Sequence, residues 1–168
     1  SKGLFLQQTT EGLSVRLNGT KEQKLDLEWG WNRGDRAFFA AGACHVLALV
    51  FLKRYAAAGF RPLMILPDEG FRGSHVLAAT ENIVFDYHGF TERERYLSRF
   101  REKMNGFFPG WRGQILEPDE FMTPSFFMKY NTRAPHQYYD DPLPRAEAFV
   151  ERMVRLAKAK GVETGLSY

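Results

Sequence analysis

FFAAGACHVLALVFLKRYAAAG, residues 38–59, decides how the chain is to be read. From about Gly42 to Ala58 the pattern is helical, and the run Val46–Leu52 is apolar on every side. A helix without a polar face is covered on most of its surface, so this one is expected at the centre of the protein. Gly59 is a good stop, because glycine accepts the left-handed backbone that ends helices. The apolar run covers only about a third of the ~20 residues a membrane span requires. Cys44, the only cysteine in the chain, falls in the first turn, behind the small residues Ala40-Ala41-Gly42-Ala43.

On the C-terminal side, PLMILP (62–67) reads as a short buried strand bounded by prolines. HVLAATENIVFDYHGF (75–90) reads as two strands joined by a tight turn. With Thr80-Glu81 as the turn, His75 falls opposite Asp86 and Leu77 opposite Val84. A one-residue slip would instead put Tyr87 opposite His75 and turn Asp86 to the other face. TERERYLSRFREKMNG (91–106) reads as a helix opened by a Thr91–Glu94 capping box and closed by Asn105-Gly106. Its inner face is Tyr96, Leu97, Phe100 and Met104. Residues 107–139 are aromatic and proline-rich and are expected to be irregular. PRAEAFVERMVRLAKAKG (144–161) is the last helix, with Phe149, Val150, Met153 and Leu156 inward.

On the N-terminal side, Leu13, Val15 and Leu17 alternate, Asn18-Gly19 is a hairpin turn signal, and Leu25, Leu27 and Trp29 alternate again. Two strands are expected there, followed by a loop over 32–43. Asn18-Gly19-Thr20 also fits a glycosylation sequon, but in a chain without secretion signals the hairpin turn is the favoured reading. The order of elements implies one α+β domain over residues 1–168, a central antiparallel sheet packed by helices.

The 168 residues carry 23 basic and 20 acidic side chains, net +3, well mixed along the chain. No dense basic tract supports nucleic-acid binding. No signal peptide or spanning segment is visible, and a single cysteine forms no internal disulfide. A cytoplasmic protein without membrane contact is expected.

The chemistry turns on Cys44. A thiol attacks acyl carbon as thiolate, and the first turn of a helix lowers its pKa through unpaired N–H groups and the macrodipole. The same N–H groups can donate to a developing oxyanion. A base is then needed. His45 adjoins Cys44 but points about 100° away around the helix. His75, opening its strand after the loop DEGFRGS, is better placed, and Asp86 opposite it would fix its tautomer and stabilise the imidazolium. A carboxylate on the inner face of NIVFDY needs such a partner. His88 reads as a loop residue and an alternative base. A zinc site from Cys44, His45, His75 and His88 matches no structural-zinc spacing, and no metal or other cofactor is expected.

Cysteine at the start of a buried helix, histidine opening a strand and an acid on the next strand together resemble the papain-like thiol fold. The order and spacing are closest to its NlpC/P60 and transglutaminase-like branches. The resemblance covers residues 30 to 90. It implies a hydrolase or acyltransferase working on an amide or thioester, with Cys44 as nucleophile, His75 as base and Asp86 as orienter. The chain departs from the pattern at Phe38, where papain has its oxyanion glutamine, and at Ala43 and His45, where NlpC/P60 proteins have Asp and Ser. Asn32 and the first-turn amides are the remaining oxyanion candidates, with Trp29 and Trp31 as walls of a substrate cleft. The implied partner is a peptide or small amide. The competing reading takes Cys44 as a small core hydrophobe and the aromatic segment 107–139 as a peptide-binding or homo-oligomer surface.

Overall fold

The structure, a computed structural model, describes residues 21–167. The central helix α3 spans Cys44–Tyr55 and buries His45, Val46, Leu47, Ala48, Val50 and Phe51. Lys53 and Arg54 in its last turn complement the negative end of the helix. It tightens into a 3-10 turn, Ala56–Ala58, and is closed by Gly59 at φ 91°.

Five antiparallel strands follow: β1 (Arg61–Pro67), β2 (His75–Ala79), β3 (Ile83–Asp86), β4 (Gly89–Glu92) and β5 (Gly113–Leu116), in the order β4-β3-β2-β1-β5. β2 is the middle strand, and all five of its residues are buried. Its unbroken apolar run is what a strand covered on both faces requires. On one face α3 and the last helix α6 (Pro142–Ala159) pack Phe51, Phe85, Phe149 and Val150 together, with the Phe51 and Phe85 rings stacked at 4.2 Å. On the other, α4 (Arg93–Phe107) lays Tyr96 and Met104 over Leu77 and Val84. The α+β class, the antiparallel sheet and the helix beginning at Cys44 all match the sequence expectation.

The β2–β3 register differs in detail. Ala78 faces Phe85 and Ala79 faces Val84, so each β3 partner comes two residues later than expected. The turn centres on Glu81-Asn82, because Thr80 belongs to the flank. The Thr80 N–H donates to the Ile83 carbonyl at 2.9 Å, and the Thr80 hydroxyl accepts from the Ile83 N–H at 3.0 Å. A shift of two residues preserves which face each side chain points to, so His75 and Asp86 still share one.

Other expectations are corrected. Lys21–Trp31 is a helix, α1, where a strand over Leu25–Trp29 was expected. KEQKLDLE is rich in helix formers, and Arg145 from α6 caps the end by donating to the Trp31 and Arg33 carbonyls at 2.6 and 2.7 Å. The strand Leu13–Leu17 and the Asn18-Gly19 turn lie outside the described residues. The expected loop 32–43 contains α2 (Asp35–Ala40), which buries Phe38 and Phe39. The segment after Asp86 returns as β4, so Thr91 is in a strand and no capping box forms. Glu92 occupies the cap position without a side-chain bond, and α4 continues through Asn105-Gly106 to Phe107. Residues 107–139 are more ordered than expected. They hold β5, which pairs with β1, and α5 (Pro124–Tyr130), capped by Thr123 and ended by Asn131 at φ 53°. Trp111, Phe126 and Tyr138 from this segment are buried, while Phe107 and Tyr139 are exposed. Leu156 in α6 is exposed, and Ala157 takes the inward place. No described helix is long and apolar enough to cross a membrane.

Candidate active site

The N-terminus of α3 and the first residue of β2 meet at one point. Gly42 precedes the helix at φ 111°, a conformation open to glycine at little cost, and the cap residue Ala43 offers no side-chain acceptor. The first helical bond is Leu47 N–H to the Ala43 carbonyl, so the amides of Cys44, His45 and Val46 precede the intrahelical ladder. The Cys44 thiol is half-buried and accepts a hydrogen bond from the Val76 N–H at 3.4 Å. β2 thus holds the sulfur directly beside His75.

His75 is buried, with its ring backed by Phe100 of α4 at 6.4 Å and by Tyr87 at 5.8 Å. Its Nε2 lies 3.0 Å from Asp86 Oδ2, and Nδ1 is the ring nitrogen that remains. Asp86 is almost fully buried and heavily hydrogen-bonded. The Tyr96 hydroxyl donates to Oδ2 at 2.6 Å, and the His88 backbone N–H donates to Oδ1 at 2.8 Å. His88 Nδ1 sits 3.0 Å from the same Oδ1. Burial opposes the Asp86 charge, but the bonds from His75 and His88 outweigh it and hold the carboxyl well below the usual carboxylate range. Burial and that carboxylate push the Tyr96 hydroxyl far up, so it stays a donor.

The thiol and imidazole are a coupled pair. Burial pushes the Cys44 thiol up, but hydrogen bonds from His45 and His75 and their charges bring it down to about 5. Burial pushes His75 down, and its bonds to Asp86 and Cys44 raise it to about 10. Both shifts run towards thiolate beside imidazolium, the state a nucleophilic cysteine requires.

His45 is the second histidine that interacts with the sulfur. Its ring is buried among Phe126, Phe127 and Tyr138, and its Nε2 lies 2.7 Å from the Arg133 carbonyl. The left-handed cap at Asn131 turns the chain out of α5 and brings that carbonyl back to α3. The Tyr138 hydroxyl donates to the Gly42 carbonyl, which ties the same segment to the loop before Cys44.

Cys44, His75 and Asp86 are therefore brought together. The other candidates lie at the α1–α2 corner. Trp29 is 68% exposed beneath Arg33. Trp31 packs against Phe38 at 5.3 Å with Arg145 over its ring. The Asn32 amide donates to the Glu28 carbonyl at 3.0 Å. His45, Tyr96 and His88 join the site from positions that sequence reasoning passed over or left aside. Asp-Tyr-His-Gly was the available signal for His88, since an Asp that begins a tight turn commonly accepts from the N–H two residues on. Among the described residues no three His, Cys, Asp and Glu side chains converge as a metal ion would need. No protein-family model, curated protein or solved structure matches the chain.

Proposed function

We propose that the protein is a cysteine-dependent hydrolase or acyltransferase of papain-like type, acting on an amide or thioester. The observation that carries this reading is the buried His75–Asp86 contact at 3.0 Å, beside a partly buried cysteine at a helix N-terminus. A purely structural cysteine has no use for an imidazole held in its charged form by a buried carboxylate.

In this reading the Cys44 thiolate adds to the acyl carbon, and the electron pair of the carbonyl moves onto oxygen. The amides of Cys44, His45 and Val46 are the donors available for that oxyanion. The tetrahedral intermediate collapses to a thioester on Cys44 as His75 Nδ1 passes its proton to the departing amine or thiol. His75, now neutral, takes a proton from the incoming water or acceptor nucleophile, and the acyl group leaves Cys44. Asp86 keeps the imidazole oriented throughout, and Tyr96 and His88 hold Asp86.

The competing binding-module reading places its working surface on the aromatics of 107–139. Burial of Trp111, Phe126 and Tyr138 gives these side chains a packing role instead. The test is acyl capture. Incubation with a simple activated acyl thioester, followed by intact-mass and peptide mass spectrometry, should place one acyl group on Cys44. Cys44→Ser should abolish it, and His75→Ala should slow it at least about a hundredfold. Acylation at equal rates in wild type and His75→Ala would remove the reading.

A further inference from the structure

A cleft of about 640 Å³ opens between α2, the β3–β4 turn and α6. Its lining includes neither Cys44 nor His75. Its apolar part contains Met153 together with Leu156 and Val162, which are 46% and 39% exposed. Single exposed aliphatics on a surface mean little, but here they line one concavity. The charged part is Arg36, Arg152 and Lys160. The one carboxylate on the lining, Asp35, is already shared by Arg152 at 3.2 Å and, from outside the lining, Arg145 at 2.8 Å. The concavity is therefore net positive and half apolar.

We propose that this cleft binds an aliphatic carboxylate, its chain on Met153, Leu156 and Val162 and its head group on the Arg36, Arg152 and Lys160 cations. A small inorganic anion would leave Leu156 and Val162 in water, and a neutral chain would leave Arg36 and Lys160 without an anionic partner on the lining. An anion with an apolar tail satisfies both halves. The cleft also reaches the Cys44 site. His88 lines the cleft, and its Nδ1 and backbone N–H are both held by Asp86, at 3.0 and 2.8 Å. The imidazole that a bound carboxylate meets is thus the one that supports the partner of His75.

The test is titration of the full chain with octanoate, read from the ¹³C-methyl resonance of Met153 and the His88 ring resonances. A saturable shift of both is expected. Octanol and acetate should each bind at least about tenfold more weakly, as should octanoate to Lys160→Glu and to Leu156→Asn, both exposed positions. No saturable shift, equal binding of octanol, or unchanged affinity in both variants would overturn the proposal. Cys44→Ser should bind octanoate like wild type, so failure of the enzymatic reading leaves this one standing.

Discussion

Two histidines flank one sulfur, and they differ in what holds the far nitrogen. His75 Nε2 meets the Asp86 carboxylate at 3.0 Å, and His45 Nε2 meets the Arg133 backbone carbonyl at 2.7 Å. A carboxylate supplies a charge that balances an imidazolium. A carbonyl fixes the direction of the ring and adds no net charge. The two surroundings follow the same division. The His75 side joins a polar network of Asp86, Tyr96 and His88 to the Tyr87 and Phe100 rings, whereas the His45 side is a pocket of Phe126, Phe127 and Tyr138. In the proposed reading the carboxylate-backed His75 is the base, while His45, which also hydrogen-bonds the thiol, is oriented by a carbonyl.

The largest effect that tests this contrast is on Cys44 reactivity. Iodoacetamide labelling of the wild type at pH 6 should fall about a hundredfold in His75→Ala, because the thiolate loses its counter-charge. His45→Ala removes a second hydrogen bond to the thiol but leaves the carboxylate-backed imidazole, so it should cost less than His75→Ala. The reverse ranking would break the comparison and transfer the base role to His45. Asp86→Asn keeps the shape and removes the charge. It should slow labelling by about tenfold or more, and urea unfolding should show a stability loss of about 3–5 kcal/mol, as for a broken buried pair. Tyr96→Phe is the mildest change. Removal of its 2.6 Å bond to Asp86 should cost about 1–3 kcal/mol of stability and slow labelling only a few-fold. A Tyr96→Phe protein as slow as Asp86→Asn would mean that orientation of the carboxylate, rather than its charge, sets the reactivity.

The contrast was half legible in the sequence. α3 and β1 to β3 announce themselves as long apolar runs, because elements covered on both sides carry no competing polar period. The His75–Asp86 contact was found through a register two residues off, since facing depends on parity and survives such a shift. α1 was misread because Leu25, Leu27 and Trp29 alternate like a strand, and its helical end is secured by Arg145, more than a hundred residues away. β5 is four residues long among Pro and Gly, and it forms by pairing with β1 rather than from its own pattern. The His45 surroundings were illegible for the same reason: the Arg133 carbonyl and the Phe126, Phe127 and Tyr138 rings come from a segment some ninety residues on, joined to α3 only by tertiary packing.

The pH dependence of Cys44 alkylation tests the central claim most directly. The thiol is held near 5, and a group so lowered is thiolate above that pH, while His75 keeps its proton up to about 10. Labelling of the native protein should therefore reach half its maximum near pH 5, and the midpoint should climb towards ordinary thiol values in His75→Ala. A wild-type midpoint at the usual thiol value of ~8.5, or a native thiol that does not label at all, would contradict the account.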